Sequence, residues 1–224
     1  GIAQGIIGGG KRRREQRAMT TTVDPKRGKR LLSLILGIPI VVILLSSAVY
    51  YLAKENIINF RTVNRGTLIN PPVQLGDLHP QRIDGGEFLF NHADSRWVFM
   101  VVGGQNCIDA CERMLYLTRQ THTALGKKVD RVERIYLATE GPLSPSLRDF
   151  IEAEHSDLTV LHADGTPFLS KLKNLEINPF DSRAFYVVDP MGWVMMYYRA
   201  GDTEQPTLTT LGKDVLKDMG RLIK

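Results

Sequence analysis

The fold of this chain is decided by the stretch Trp97-Val-Phe-Met-Val-Val-Gly-Gly-Gln-Asn-Cys-Ile-Asp-Ala-Cys111, which contains its only two cysteines. The apolar run before the glycines is typical of a strand that is covered on both faces of a sheet. Gly103 and Gly104 allow a tight reversal, and the residues from about Cys107 to Leu125 follow a helical pattern. The stretch therefore predicts a buried strand that delivers two thiols to the start of a helix.

Cys107 is predicted to lie at the N-terminus of this helix. Asn106 is a suitable N-cap residue, and the unpaired N–H groups and dipole of the first turn favour a thiolate. Asp109 and Glu112 flank the thiols, and their charges oppose that effect but attract a cation. Free cysteines are often only small buried hydrophobes. We nevertheless interpret Cys107 and Cys111 as a functional, catalytic pair.

The spacing of the two cysteines leaves two chemistries open. Residues four apart share one face of a helix. Their Cβ atoms normally lie further apart than the roughly 3.5 to 4.5 Å found in a disulfide, so a bridge between Cys107 and Cys111 is expected to distort the first turn. Two thiolates on one face can instead bind a soft ion, because thiolates select Cu(I).

Charge separates the first thirty residues from the rest of the chain. Nine of the 29 Lys and Arg residues but only two of the 24 acidic residues lie in residues 1–30, which therefore carry a charge of +7 and leave −2 for the remainder. Such a basic, Gly-rich tail is expected to be disordered. A basic pI that comes from a tail does not indicate a nucleic-acid surface on the domain, and we expect no nucleic-acid partner.

Residues 31–53 contain no charge and are long enough to cross the roughly 30 Å core of a bilayer. Basic residues lie directly before them, so the positive-inside rule places the N-terminus in the cytoplasm. A signal peptide cleaved near Ser46-Ser47-Ala48 is the alternative, but the apolar run continues beyond that site and favours an uncleaved anchor. The predicted organisation is a tail (1–30), one transmembrane helix (31–53), a tether (54–78) and one α/β domain (79–224).

The domain pattern predicts a βαβ unit followed by a hairpin. Helix starts are indicated at Ser144-Pro145 and Thr166-Pro167, where a capping residue precedes proline. Strands are expected at about 88–90, 97–102, 131–139, 158–161, 184–188 and 193–198, and a last amphipathic helix at about 208–222.

This order of elements, with the cysteine pair after its apolar strand, resembles the thioredoxin fold, and with one anchor it resembles the Sco/SenC family of cytochrome oxidase assembly proteins. The resemblance covers about residues 68–224 and includes the hairpin Phe185-Tyr-Val-Val-Asp-Pro-Met-Gly192. It implies copper binding by Cys107, Cys111 and a histidine five positions before the hairpin aromatic. That position, counted from Tyr186, holds Asp181 here.

The candidate metal ligands are therefore Cys107, Cys111, Asp181 and His162. A carboxylate such as Asp181 suits Cu(II) better than Cu(I). His162 ends a parallel strand, where open α/β sheets place their ligands, and is the candidate replacement for the missing histidine. His122 is about 16 Å along the helix from Cys111 and is expected to pack at the core edge. The remaining histidines are predicted to be surface residues: His79, His92 and His155.

The resemblance implies a bacterial inner-membrane protein whose periplasmic domain helps to assemble a haem-copper respiratory oxidase, by handling copper or by reducing the cysteines of the copper site. Its partners would be the inner membrane and an oxidase subunit. One alternative is a TlpA-type thiol-disulfide oxidoreductase acting on other exported proteins, although Arg183 stands about where such reductases have a cis-proline. The other is a non-catalytic interaction protein docked on a membrane complex.

Overall fold

The structure, a computed structural model, describes residues 25–54, 63–83, 85–90, 92–173 and 177–223. They belong to two units, of which the second spans residues 63–224. Most of the predicted basic tail, residues 1–24, lies outside the described residues, and so does the part of the predicted tether from 55 to 62.

The N-terminal unit contains helix α1 (Pro25–Lys54). Within the described part of the chain, α1 is the one helix long and apolar enough to cross a membrane, over Gly28–Leu52, and none of its most apolar window is buried. A single apolar helix before the domain was predicted and is confirmed. It begins at Pro25, so the last residues of the predicted tail are helical rather than disordered.

The second unit is built on a mixed sheet. Its seven described strands are β1 (Thr67–Gln74), β2 (Gln81–Arg82), β3 (Trp97–Gly103), β4 (Val132–Ala138), β5 (Leu158–His162), β6 (Ala184–Val188) and β7 (Trp193–Arg199). Their order across the sheet is β1-β7-β6-β3-β4-β5-β2. Strands β3, β4 and β5 are parallel, and β6 and β7 form an antiparallel hairpin beside β3. The predicted βαβ unit and hairpin are thus confirmed.

Both faces of this sheet are covered, which explains the unbroken apolar run in β3. Alternate side chains of a strand point to opposite faces. Phe99 and Val101 accordingly join one buried cluster, with residues of three helices, and Met100 joins another, with residues of β1 and of a fourth helix. Both clusters draw only on residues after Val63, so the second unit has complete cores without α1.

Four α-helices of the second unit are described: α2 (Ala110–Ala124), α3 (Pro145–Glu154), α4 (Gly165–Leu172) and α5 (Gln205–Leu222). The start of α3 is as predicted, because the Ser144 hydroxyl accepts a hydrogen bond from the Leu147 N–H at 3.3 Å. The start of α4 differs, because its N-cap is Asp164, which accepts from the Thr166 N–H at 2.8 Å.

Two predictions for the entry to the domain were wrong. Residues 67–74, placed in the tether, form β1 at the sheet edge, where Ile69 and Val73 are buried. Proline is tolerated there because an edge strand leaves one row of N–H groups unpaired. Residues 88–90 are not a strand; the Phe88 N–H donates to the Pro80 carbonyl at 2.8 Å.

Candidate functional site

The two cysteines form a disulfide at the junction of β3 and α2, with their Cα atoms 5.1 Å apart. Both residues are buried, with 3% and 5% of their surface exposed. Cys107 lies in the turn before α2 and Cys111 is its second residue. The prediction that both cysteines lie on one face of a helix starting at Cys107 was therefore wrong.

Asp109 explains this later helix start. It is the N-cap of α2 in place of the predicted Asn106, and its φ of +49° lies where residues other than glycine are uncommon. The reversal at Asp109 brings Cys107 back towards the first turn of the helix. The disulfide therefore forms across this turn, and the expected distortion takes the form of a shorter helix.

The loop before the cysteines is held by the end of β4. The Gly103 carbonyl accepts hydrogen bonds from the Thr139 N–H at 2.9 Å and the Thr139 hydroxyl at 3.1 Å. The Tyr136 hydroxyl donates to the Gly104 carbonyl at 2.9 Å. Burial raises the pKa of Tyr136, so this phenol stays a neutral donor at physiological pH. Both glycine carbonyls are thus fixed by Tyr136 in β4 and by Thr139 directly after it.

The segment after β4 supports the same loop from the other side. The Gln105 side-chain amide donates to the Glu140 carbonyl at 3.0 Å, and the backbone carbonyl of Gln105 accepts from the Ser144 N–H at 2.9 Å. Leu143, within this segment, belongs to the same buried cluster as the two cysteines. The segment from Glu140 to Ser144 is therefore the scaffold of the cysteine loop.

One exposed apolar side chain lies between the two buried cysteines in the sequence. Ile108, between the cysteines, is 67% exposed, whereas Cys107 and Cys111 are in a cluster with Met114 and Leu115. The two cysteines therefore belong to the core, while the residue next to them in the turn is exposed. This arrangement can exchange electrons with a partner that contacts the turn, because thiol-disulfide exchange needs access to one sulfur.

Asp181 lies before β6, and its carboxylate is engaged by two arginines. Oδ2 accepts from the Arg199 Nε at 2.6 Å, and Oδ1 accepts from the Arg183 backbone N–H at 2.9 Å. Burial alone would raise the pKa of Asp181, but the hydrogen bonds and positive charges of Arg199 and Arg183 outweigh it and hold the pKa below its usual range. Asp181 is thus an ion-pair partner in this structure.

His162 ends β5 as predicted, opposite Ala138 of β4, which in turn lies opposite Gly103 of β3. Two strand spacings, about 10 Å, therefore separate its backbone from the strand that leads to the cysteines. Among the residues that the structure describes, no three His, Cys, Asp or Glu side chains are grouped so that they could hold a metal ion. The structure thus brings Cys107 and Cys111 together but does not group Asp181 or His162 with them.

Two further histidines are buried or nearly so. His122 packs at the core edge as expected, with Nε2 2.8 Å from the Val132 carbonyl. His155, predicted to be a surface residue, is completely buried, with its Nδ1 3.5 Å from Nη2 of Arg134. The signal that sequence reasoning missed is Arg134 itself, because an arginine inside a buried strand needs polar partners.

Comparison with solved structures gives proteins that the chain is similar to. They include yeast Sco1 (16% identity, 70% of this chain and 97% of that chain, TM-score 0.48). They also include a SCO1/SenC family lipoprotein from Bacillus anthracis (18% identity, 75% and 100%, TM-score 0.46) and the thioredoxin domain of a thiol-disulfide oxidoreductase from Bacteroides vulgatus (15% identity, 73% and 100%, TM-score 0.44). No curated protein sequence matches the chain.

A family match confirms the predicted thioredoxin-like fold. Residues 97–224 match the family described as "Transmembrane-like, thioredoxin-like, C-terminal domain". The match begins at the strand that precedes the cysteines and includes all of β3 to α5. Since it covers more than half of the chain, the protein belongs to this family of thioredoxin-like domains.

Proposed function

We propose that the chain is a membrane-anchored thiol-disulfide protein that assists the assembly of a haem-copper respiratory oxidase by reducing the cysteines of a copper site. The observation that supports this most is the Cys107–Cys111 disulfide, which lies directly after the central strand at the start of a helix. In thioredoxin-like folds, a cysteine pair at this place typically carries out thiol-disulfide exchange.

The proposed reaction is a balanced exchange of two electrons. In the reduced protein, one cysteine attacks a disulfide of the client as a thiolate and forms a mixed disulfide. The second cysteine then attacks this bond, which releases the client as a dithiol and leaves the Cys107–Cys111 disulfide described above. A dithiol reductant on the same side of the membrane must then restore the thiols, so the cycle requires such a partner.

Copper handling is the second mode of the proposal, with Cu(I) as cargo. When reduced, the two cysteines supply soft thiolates, which suit Cu(I). Asp181 is held by Arg183 and Arg199, and the described residues offer no third ligand grouped with the cysteines. Any bound Cu(I) is therefore expected to depend on the two sulfurs alone and to exchange easily.

The site of action in this proposal is the bacterial periplasm. Basic residues immediately before the apolar helix favour a cytoplasmic N-terminus, which places the thioredoxin-like domain on the other side of the membrane. The haem-copper oxidase as client rests on the sequence resemblance to Sco/SenC proteins.

The test is a reduction assay with the full chain in nanodiscs and two oxidised substrates. One is insulin and the other is a peptide copied from the copper-site loop of an oxidase subunit, bridged by its disulfide. We expect the reduced protein to reduce the peptide much faster than insulin. Of the variants Cys107→Ser and Cys111→Ser, the one that keeps the attacking cysteine should stop at the mixed disulfide, and the other should form none. Equal rates on both substrates would instead indicate a general reductase of the TlpA type.

A non-catalytic interaction protein is favoured by a different observation. Both cysteines are buried in an apolar cluster, and Asp181 is satisfied by arginines rather than left as a ligand. In that case neither substrate is reduced. The serine variants would then lose stability without losing an activity, because a structural disulfide typically contributes about 2–4 kcal/mol.

A further inference from the structure

The turn between the two cysteines has a backbone geometry that suits glycine, yet its second residue is Asp109. The Cys111 N–H donates to the Ile108 carbonyl at 3.0 Å, which closes a turn of four residues. Asp109 has a φ of +49° and a ψ of −108°. These angles are close to the roughly +60° and −120° of the second residue in a type II′ turn, where glycine is the usual choice. The chain therefore has an aspartate where the backbone favours glycine.

The side chain of Asp109 does not compensate for this backbone conformation. Asp109 is the N-cap of α2, but its exposed carboxylate accepts no hydrogen bond from the N–H groups of the first turn. A residue other than glycine at such a φ costs free energy and persists only where the surrounding structure imposes it. The constraint here is the disulfide, which joins Cys107 and Cys111 across the turn.

A continuous helix over residues 107–111 is incompatible with this disulfide. The Cβ atoms of residues four apart on a helix lie about 5–6 Å apart, whereas a disulfide requires about 3.5–4.5 Å. The sequence itself permits the helix, because residues 107–110 contain neither glycine nor proline and the exposed Asn106 is a suitable N-cap. The covalent bond is therefore what shortens α2.

The burial of the side chains before α2 already follows the period of the helix. Cys107 is buried, and so are Cys111 and Met114, four and seven residues later, whereas Ile108 and Asp109 are exposed. Residues four and seven apart share one face of a helix. A helix that starts one turn earlier thus keeps each of these side chains on the side where it lies now.

We propose that Asp109 is a positioning residue for the thiol exchange and makes the Cys107–Cys111 disulfide easier to reduce, an inference that rests on the proposed function. When the dithiol donor supplies two electrons and two protons, the S–S bond becomes two thiols and the turn is released. α2 then begins one turn earlier, with Asn106 as its N-cap. Because Asp109 has the unfavourable φ only in the oxidised protein, its relief favours the dithiol. The reduction potential of the pair is therefore higher than glycine at this position would give.

The test measures the redox equilibrium of residues 63–224 with glutathione for Asp109→Gly, Asp109→Asn and Asp109→Ala. All three variants lack the carboxylate, so differences among them do not come from charge. Glycine suits the turn, asparagine tolerates it, and alanine suits only the helix. We expect a constant for disulfide formation at least about 10-fold higher in Asp109→Gly than in Asp109→Ala, and tenfold corresponds to about 30 mV. Asp109→Asn should lie between them, and wild-type protein should have a higher potential than Asp109→Gly.

Nuclear magnetic resonance of the same residues reports the helix directly. On reduction of the wild-type protein, the Cα chemical shifts of Ile108 and Asp109 should move to helical values, whereas that of Arg113, which lies within α2 already, should stay the same. A cooperative thermal transition in both redox states is the control for folding. Equal potentials in the glycine and alanine variants, or unchanged shifts at Ile108 and Asp109, would overturn the proposal. Neither measurement contains a client, so its outcome is independent of the reduction assay that tests the proposed function.

Discussion

Arg134 is completely buried in β4, and its Nη1 donates to both carboxylate oxygens of Asp157 at 2.9 and 3.0 Å. Its Nη2 donates to the Leu115 carbonyl at 2.8 Å. One guanidinium therefore joins α2, β4 and the turn before β5. Burial alone would raise the pKa of Asp157, but the adjacent Arg134 outweighs it and keeps that pKa below its usual range.

The first prediction concerns this pair. Asp157→Asn leaves a buried cation without its counter-charge and should lower the free energy of unfolding by about 2–3 kcal/mol. This is less than the 3–5 kcal/mol of a fully buried pair because the Asp157 side chain is 42% exposed. The double variant Arg134→Met with Asp157→Asn should recover part of the loss, as measured by urea unfolding. Additive losses in the double variant would contradict this account.

A second prediction concerns acid sensitivity. The pKa of His155 is lowered to about 4, whereas in the unfolded chain it should be close to 6.5. Between these values the unfolded chain binds more protons, so stability is complete above about pH 6.5 and falls as the pH drops towards 4. His155→Phe should remove roughly 1–2 kcal/mol of the stability difference between pH 7 and pH 5. The free energy of unfolding in urea is measured for both proteins at both pH values. If the difference between pH 7 and pH 5 is the same in His155→Phe as in wild type, His155 is not the source of the acid sensitivity.

Asp218 on α5 provides a third prediction. This carboxylate is 1% exposed and its Oδ2 accepts from the Gly66 N–H at 3.0 Å and from the Tyr198 hydroxyl at 2.9 Å. The Arg65 N–H also donates to this oxygen, at 2.6 Å, and Arg221 pairs with Oδ1 at 3.4 Å. Asp218→Ala should cost about 2–4 kcal/mol because all of these donors lose their acceptor. Tyr198→Phe, which removes only one hydrogen bond, should cost about 1 kcal/mol. Thermal unfolding of residues 63–224 measures both, and similar losses would show that the contacts of Asp218 other than the one with Tyr198 contribute nothing.

The glycines before the cysteines should differ in their tolerance of a side chain. A Cβ on Gly103 would collide with the hydroxyl of Tyr136, which is buried, whereas a Cβ on Gly104 would meet the end of the exposed Glu140 side chain. Gly103→Ala should therefore cost roughly 1–3 kcal/mol and Gly104→Ala much less. Tyr136→Phe should partly rescue the first variant. Urea unfolding of Gly103→Ala, Gly104→Ala and the double variant Gly103→Ala with Tyr136→Phe measures these losses. A larger loss in Gly104→Ala than in Gly103→Ala would contradict the prediction.

The last prediction tests orientation. If the basic residues before the apolar helix stay in the cytoplasm, the cysteines lie outside. A membrane-impermeant maleimide should then label Cys107 and Cys111 in reduced, intact spheroplasts. A cytoplasmic protein with an accessible cysteine, labelled only after lysis, is the control. Labelling of this chain only after lysis would show that the cysteines lie in the cytoplasm, and it would rule out the periplasm as the site of action in the proposed function.

The sequence predicted the centre of the fold well because that centre follows from one pattern. An unbroken apolar run requires cover on both faces, and Val98 and Phe99 are indeed completely buried on opposite sides of the sheet. The hairpin of β6 and β7 was also predicted from a local pattern, because a turn sequence separates two apolar strands. Both predictions needed only residues that are close together in the sequence.

The start of α2 could not be predicted in this way. Asn106 and Asp109 are both acceptable N-cap residues, and the choice depends on the positive φ of Asp109, which is set by the turn that joins the cysteines. The burial of His155 depends on Arg134, 21 residues earlier in the chain. Likewise, the carboxylate of Asp181 is occupied by an ion pair with Arg199, 18 residues later in the chain. These relationships are tertiary, and a local pattern shows at most that a residue such as Arg134 needs a polar partner, not which residue supplies it.

The burial of Cys107 and Cys111 on either side of the exposed Ile108 has a kinetic consequence for the proposed thiol exchange. In that exchange a small reagent, or a partner whose surface is shaped to receive Ile108, would reach a sulfur more readily than a bulky unrelated protein. A small phosphine should therefore outpace an unrelated thioredoxin, while a cognate partner should outpace both. Ile108→Ala would narrow these differences, and so selectivity among electron donors in this protein would reside in an apolar side chain that takes no part in the redox chemistry.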